Sequence, residues 1–294
     1  MEGKLYAGED YKKEFDPQDY LKTYYAFDSG TVAENEILKF NLKNLFQTFS
    51  SGGVGGDILI DIGSGPTIYQ LLSACEAFRE IIVSDYTEQN LWELEKWLKK
   101  EPGAYDWSPA VQYVCELEGD RSRCQEKEAR LRRTVTRILK CDVTQPHPLA
   151  PAQVPPADCV LTLLAMECAC PDADTYWAAI RRLVSLLKPG GHLVMAIALR
   201  CQSYMVGAKK FFGLPLEKET VEKAVQEAGC QVLRCEYRAN KYSHFYCINE
   251  GICFLVGPQG PQGLRHPGTR GPAPEGQVTA EGQSLPTSPL KMLS

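Results

Sequence analysis

Short apolar runs recur along the chain, separated by stretches in which apolar and polar residues alternate at helical spacing. The clearest runs are DILIDI (57–62), EIIVSD (80–85), CVLTLLAM (159–166) and HLVMAIAL (192–199), and further strands are expected near 138–142, 231–237 and 251–256. Nearly continuous apolar runs of this length are typical of strands buried on both faces of a parallel sheet. The pattern therefore predicts an α/β fold.

Amphipathic stretches lie between these runs. Leu91, Leu94, Trp97 and Leu98 share one face of a helix predicted from 87 to 100. Further helices are expected at 67–78, 120–137, 174–187 and 217–228, and two more in the tyrosine-rich segment 9–49. Strands alternating with helices favour a sheet that is covered on both faces.

The composition changes at residue 257. Segment 257–294 holds seven glycines and seven prolines, with almost no large apolar residue before Leu290. Such a segment buries too little surface to offset its ordering entropy. We expect a folded domain at 1–256 and a disordered tail at 257–294.

Charge and hydropathy limit the partners of the protein. Its net charge of −5 argues against a nucleic-acid-binding surface, which needs basic residues. No apolar run approaches the roughly 20 residues of a membrane span, and the polar start does not resemble a secretory signal. We expect a cytoplasmic protein that does not bind membranes. Since no exposed heptad stands out, we expect a monomer.

Twelve cysteines are scattered through the chain, several of them within apolar runs. No CxxC pair is present, and structural zinc sites usually show two such pairs. We therefore expect buried, reduced cysteines and no metal site, with metal or redox chemistry as the alternative.

The most informative motif joins a strand to a glycine-rich turn, in the sequence ILIDIGSGP from 58 to 66. Gly63 and Gly65 allow the backbone to approach a ligand closely. The dinucleotide fingerprint fails because Ile68 stands at its third glycine, and no Gly-Lys-Ser/Thr is present to form a Walker loop. Asp61 just before the turn favours a cation, such as an ammonium or sulfonium group, over a phosphate.

Two further carboxylates end the next two predicted strands. Asp85 lies 24 residues after Asp61, about where α/β nucleotide-binding folds bind ribose hydroxyls. Asp142 follows the third strand, where it could accept from an adenine amine beside the backbone amide of Val143. One such Asp could simply cap a helix. Three at one edge of the sheet, together with the glycine turn, predict a ligand site.

These motifs, with LLKPGGHLV at 186–194, resemble the class I S-adenosylmethionine-dependent methyltransferases. DIGSGPTIYQLLSAC, EKWLKKEPGAYDW, ECACPD and SYMVG are similar to segments of the small-molecule amine N-methyltransferases, which act on nicotinamide, phenylethanolamine and indolethylamines. The resemblance covers about 1–256 and is nearest to the indolethylamine (thioether) branch. It implies a Rossmann-like seven-stranded sheet of order 3-2-1-4-5-7-6 with an antiparallel last strand, under an N-terminal helical lid (1–50).

The resemblance also implies S-adenosylmethionine as cofactor and assigns its contacts. The expected cofactor residues are Gly63 and Ser64 at the methionyl part, Tyr20, Tyr25 and Tyr69 at its carboxylate or sulfonium, Asp85 and Asn90 at the ribose, Asp142 and Val143 at the adenine, and the backbone of Leu163. Several have a structural alternative: the tyrosines could be core or lid packing, and Asn90 a surface helix residue.

Glu167 in LAMECAC is the predicted proton acceptor, because an alkylamine with a pKa near 10 arrives protonated. Tyr20 and Tyr204 complete the predicted catalytic set. As alternatives, Glu167 could be a capping or solvated residue and Tyr204 a core residue. The expected pocket walls are Tyr24, Ile197, Cys201 and Tyr204.

The expected acceptor follows from two departures from the nicotinamide enzymes. Ile197 and Gly213 stand where those enzymes carry an aspartate and a serine, so an amide would lack partners. We expect N-methylation of small aromatic alkylamines such as tryptamine, extending to thioethers and their selenium analogues. The alternatives are a nicotinamide or pyridine N-methyltransferase, and a cofactor-binding protein that acts by interaction.

Overall fold

The computed structural model describes residues 3–27, 32–240 and 246–260. The strands are β1 (Leu5–Tyr6), β2 (Gly56–Ile62), β3 (Phe78–Asp85), β4 (Val135–Lys140), β5 (Ala157–Leu163), β6 (Leu187–Leu199), β7 (Ser203–Val206), β8 (Lys209–Phe212), β9 (Arg234–Ala239), β10 (Cys247–Ile248) and β11 (Gly251–Pro258). The α-helices are α1 (Tyr11–Glu14), α2 (Pro17–Tyr24), α3 (Val32–Phe46), α4 (Ala74–Ala77), α5 (Glu88–Leu98), α6 (Ser108–Leu117), α7 (Cys124–Thr134), α8 (Met166–Ala169), α9 (Ala173–Ser185) and α10 (Lys218–Glu227).

Seven strands form the central sheet in the order β4-β3-β2-β5-β6-β11-β9. Numbered within the sheet, this order is 3-2-1-4-5-7-6, and β11 runs antiparallel to both of its neighbours. The expected sheet order and the antiparallel last strand are confirmed. The order reverses between β2 and β5, and ligands bind at such a switch point in open α/β sheets.

The central strands are apolar on both faces because both faces are covered. Along β6, Ala196 and Ala198 belong to the apolar cluster on one face, whereas Ile197 belongs to the cluster on the other. This alternation follows from the two-residue period of a strand. The first face also packs Leu21 and Leu42 of the N-terminal helices, and the second packs Tyr176 of α9.

A second, four-stranded sheet was not predicted from the sequence. Its order is β1-β8-β7-β10, and it joins the beginning of the chain to segments that follow the sixth strand. Phe15, Tyr204 and Phe211 pack together there as a small apolar core. The motif SYMVG contains β7, whose four residues are too few to give a clear alternation.

Several element boundaries differ from expectation. The helix predicted at 67–78 is a 3₁₀ turn, Tyr69–Leu71, followed by the four residues of α4, since β3 already begins at Phe78. Helix α6 was missed, although Ser108 and Pro109 begin it and its apolar residues recur at helical spacing. The last strand runs to Pro258, two residues beyond the predicted end of the domain.

The predicted tail lies almost wholly outside the described residues, which end at Gly260. Within them, the amide of Gln259 still donates to the carbonyl of Gly191 at 2.7 Å. All twelve cysteines are described, and none forms a disulfide. No helix within the described ranges is long and apolar enough to cross a membrane.

Candidate active site

A cavity of about 460 Å³ opens at the carboxyl edge of the central sheet. Its walls come from the N-terminal segment, the glycine turn, the ends of the parallel strands and the small sheet. Fourteen of the predicted site residues line it: Tyr20, Tyr24, Tyr25, Gly63, Ser64, Tyr69, Asp85, Asn90, Asp142, Val143, Leu163, Glu167, Cys201 and Tyr204.

Ile197 is the predicted site residue that does not line the cavity. Its side chain is fully buried in the apolar cluster on the opposite face of the sheet. The next residue, Ala198, faces the cavity instead. The expectation that Ile197 forms a pocket wall is therefore wrong, because successive strand residues point to opposite faces.

The glycine turn places backbone atoms at the cavity wall. Gly63 has a φ of +73°, and a Cβ there would lie 2.5 Å from the Cβ of Ala165. Gly65 has a φ of +60°, and its amide donates to Oδ2 of Asp85 at 2.9 Å. Both positions thus require glycine conformations, and the turn is fixed to the end of the neighbouring strand.

Asp85 is buried, and its Oδ1 accepts three hydrogen bonds: from the Thr87 amide at 3.0 Å, the Thr87 hydroxyl at 3.1 Å and Asn90 Nδ2 at 3.0 Å. Burial raises the pKa of Asp85, and these donors oppose that effect. The other amide atom, Oδ1 of Asn90, is buried without a hydrogen-bond partner in the described structure. It offers an acceptor to a ligand hydroxyl at this end of the cavity.

Asp61 lies behind the turn and is 1% exposed. Gln70 Nε2 donates to its Oδ2 at 2.9 Å. Burial raises the pKa of Asp61 to about 7, and a bound cation would lower it again by stabilising the carboxylate. The arrangement suits a positively charged ligand.

Aromatic rings from the N-terminal segment form the wall opposite the sheet. The Tyr20 and Tyr25 hydroxyls lie 3.2 Å apart, and the Tyr25 ring lies 5.2 Å from that of Tyr69. Tyr24 donates to the Met205 carbonyl at 2.8 Å, which ties α2 to the small sheet. Burial raises the pKa of Tyr20, so its hydroxyl stays neutral.

Glu167, on α8, is 1% exposed and faces the aromatic end of the cavity. Its Oε1 accepts from the Ala198 amide at 2.7 Å, while Oε2 is buried without a partner in the described structure. Burial raises the pKa of Glu167 to about 7. A carboxylate of this kind can hold a cation or accept a proton near neutral pH.

Sequence reasoning missed Tyr11 and the polar residues of β10 and its flank. The Tyr11 hydroxyl lies 2.5 Å from that of Tyr204, and the Tyr11 carbonyl accepts from Gln89 Nε2 at 2.7 Å. Cys247 and Asn249 also line the cavity. Tyr11 is one of several tyrosines in segment 9–49 and nothing in the sequence pattern singles it out, and β10 is only two residues long. Among the described residues, no group of three or more His, Cys, Asp or Glu side chains is placed to hold a metal ion.

The sheet order, the glycine turn and the carboxylates at the switch point define the fold as that of a class I methyltransferase. Magnesium protoporphyrin IX methyltransferase from Synechocystis PCC 6803, solved with bound S-adenosylmethionine, has this fold: the TM-score is 0.53 at 14% identity, over 85% of this chain and 94% of that one.

Sequence comparison identifies the family. Residues 3–259 match the NNMT/PNMT/TEMT family, and the chain belongs to it. The chain is 72% identical to indolethylamine N-methyltransferase of Mus musculus, over 89% of this chain and 99% of that protein. It is 56% identical to nicotinamide N-methyltransferase of Homo sapiens, over 87% and 97% respectively. The resemblance drawn from the motifs is confirmed, and the chain is a methyltransferase.

Proposed function

We propose that this enzyme transfers the methyl group of S-adenosylmethionine to the amine nitrogen of small aromatic alkylamines, with indolethylamines such as tryptamine as its acceptors. The observation that carries this proposal is the buried Glu167 carboxylate, which lines the cavity together with Tyr20 and Tyr204 and whose Oε2 has no hydrogen-bond partner in the described structure. The 72% identity to an enzyme named for indolethylamines supports the same acceptor class.

The residues at the other end of the cavity fit S-adenosylmethionine. The unpartnered Asn90 Oδ1 and the carboxylate of Asp85 offer acceptors to ribose hydroxyls. The turn around Gly63 leaves space for the methionyl part, and Asp142 would take the adenine amine. Bound there, the cofactor supplies an electrophilic methyl group on a sulfonium.

Glu167 performs the proton chemistry. An alkylamine enters as its ammonium ion, which cannot attack a methyl carbon until it loses a proton. The Oε2 atom accepts a hydrogen bond from the ammonium and then the proton, while the Ala198 amide keeps the carboxyl in place through Oε1. The freed lone pair can then attack in line with the departing sulfur.

The aromatic walls orient the acceptor and exclude water. Tyr20, Tyr24 and Tyr204 surround the space beside Glu167, and burial keeps the hydroxyls of Tyr20 and Tyr204 neutral. Neutral phenols provide both an apolar ring face for an indole or phenyl group and a hydroxyl for a polar edge. We assign Tyr20 and Tyr204 to orienting the acceptor, beside the proton-accepting Glu167.

Nicotinamide remains the competing acceptor because of the 56% identity to the human enzyme named for it. Its ring nitrogen carries no proton at neutral pH, so it would not use Glu167 as a base. The chain also has no room for a larger residue at Gly213, where a Cβ would lie 2.5 Å from the Cys201 sulfur. Thioethers likewise need no base, and we include them as secondary acceptors. Family membership favours an enzyme over a cofactor-binding interaction protein.

Transfer of labelled methyl from S-adenosylmethionine to tryptamine, nicotinamide, phenylethanolamine and dimethyl sulfide tests the proposal. We expect tryptamine to be labelled well above nicotinamide. A higher kcat/KM for nicotinamide than for tryptamine would make nicotinamide the acceptor. The chain would still be a methyltransferase. Bound cofactor without label in any acceptor would overturn the proposal.

We further propose that the enzyme acts as a cytoplasmic monomer on free small molecules, without nucleic-acid or membrane partners. The net charge of −5 argues against a nucleic-acid partner, and a cavity lined by both the N-terminal segment and the sheet suits a small molecule. Light scattering coupled to size-exclusion chromatography tests the monomer. Fractionation of cells tests the cytoplasmic location. A dimer mass or a membrane-bound fraction would contradict them.

A further inference from the structure

Two cysteine sulfurs meet inside the acceptor end of the cavity. Cys201 Sγ lies 4.0 Å from Cys247 Sγ, and both residues line the cavity beside Glu167. Cys201 follows β6 and Cys247 lies on β10, so two distant parts of the chain bring the sulfurs together. Neither sulfur has a role in the methyl transfer described above.

The surroundings of the two sulfurs differ. Asn249 Nδ2 donates to Cys247 Sγ at 3.1 Å, which fixes that sulfur at the cavity wall. The contact with Cys247 and burial raise the pKa of Cys201, which keeps its proton. The pair thus combines a sulfur held by an amide donor with a neighbouring thiol.

The space around the pair suits an aromatic ligand. Tyr24 and Tyr204 line the same end of the cavity, with ring centroids 6.5 Å apart. The absence of a side chain at Gly213 leaves room for the Cys201 sulfur, since a Cβ there would lie 2.5 Å from it. An aryl group can pack against these rings while an atom attached to it reaches both sulfurs.

The geometry discriminates between possible uses of the pair. A disulfide needs about 2.05 Å between sulfurs, about half the observed separation. A bound metal ion usually takes four ligands, and no suitable group of three side chains exists in the described residues. A single atom that bonds two sulfurs needs a smaller movement than a disulfide does.

We propose that Cys201 and Cys247 form a dithiol site for trivalent aryl arsenicals, and that its occupation closes the acceptor end of the cavity. With phenylarsine oxide as ligand, the As=O bond is replaced by two As–S bonds. The two thiol protons leave with the oxide oxygen as one water. Arsenic stays trivalent, so no oxidant or reductant is required.

Treatment of the full-length enzyme with phenylarsine oxide, followed by intact-mass and peptide mapping, tests the site. We expect a mass gain of one arsenical less one water, on a bridged pair of peptides that contain Cys201 and Cys247. Methyl transfer to tryptamine should fall at least tenfold while S-adenosylmethionine still binds. The dithiol 2,3-dimercaptopropanol should restore transfer, whereas glutathione should not.

A second sulfur pair supplies the matched control. Cys235 and Cys253 lie on the paired strands β9 and β11 with sulfurs 3.1 Å apart, but neither lines the cavity. Cys235→Ser should keep the sensitivity of the wild type, and Cys201→Ser should lose it.

Three results would overturn the proposal. They are an arsenical bridge at Cys235 and Cys253 alone, attachment through a single sulfur, and full sensitivity of Cys201→Ser. Peptide mapping of the wild type decides the site even where the Cys201→Ser variant fails to fold.

Discussion

The carboxylate of Glu167 accepts a hydrogen bond from the backbone amide of Ala198 at 2.7 Å. This contact joins α8 to the end of β6 and fixes one carboxylate oxygen, while the other has no hydrogen-bond partner in the described structure. Acceptors should depend on this carboxylate only if they must lose a proton before methyl transfer. Protonated amines must do so, whereas thioethers carry no proton to lose.

Glu167→Gln should therefore separate amine from thioether acceptors. The amide keeps the shape of the side chain but cannot take a proton, so kcat on tryptamine should fall on the order of 10²-fold or more. Transfer to dimethyl sulfide, which carries no proton to lose, should change much less. Steady-state kinetics with both acceptors checks this, with the Kd of S-adenosylmethionine as control. Equal losses on both acceptors would show that Glu167 does not act as a base.

Stability of the cofactor-free enzyme should fall as the pH rises through neutrality. Burial raises the pKa of Glu167 from 4.5 to about 7 and that of Asp61 from 3.8 to about 7, so the folded chain holds protons that the unfolded chain has lost. Stability is greatest below about pH 4 for these groups and decreases until the pH exceeds 7, by on the order of 3 kcal/mol for Glu167 and about 4 kcal/mol for Asp61.

Urea unfolding of the wild type and of Glu167→Gln at pH 5 and pH 8 checks this dependence. The variant should show a smaller decrease in unfolding free energy between the two pH values. An identical decrease in both proteins would mean that Glu167 does not carry a raised pKa.

Ile197→Asp should destabilise the protein without creating a nicotinamide site. The side chain lies in the apolar cluster away from the cavity, so a carboxylate there would be buried without a partner. We expect a loss of about 3 kcal/mol or more, against about 1 kcal/mol for the control Ile197→Val. Thermal unfolding and nicotinamide kinetics check this. A stable Ile197→Asp enzyme with improved nicotinamide turnover would show that residue 197 does line the acceptor pocket.

Two truncations should define the end of the folded domain. A chain that ends at Gly260 keeps all of β11 and the contact of Gln259 with Gly191, and should retain activity and Tm. A chain that ends at Val256 loses the last two strand residues and should have a lower Tm. The prediction fails if removal of 261–294 alone lowers activity or Tm.

The central sheet was predictable because buried parallel strands leave long apolar runs, and because Asp61 and Asp85 stand at fixed distances from the glycine turn. The cofactor end of the cavity was predictable for the same reason. The acceptor end was less so. It depends on which face of β6 a residue occupies, which placed Ala198 rather than Ile197 in the cavity, and on pairings such as Tyr11 with Tyr204 that join distant segments.

The small sheet lines the acceptor end of the cavity but not the cofactor end. It contributes Tyr204, Phe212 and Cys247 to the cavity, yet none of the hydrogen bonds described for Asp85 or the glycine turn comes from it. Changes in these short strands can alter which acceptor fits while the cofactor end stays as it is. Such an enzyme can acquire new acceptors through changes in the small sheet, while the central sheet and the glycine turn stay unchanged.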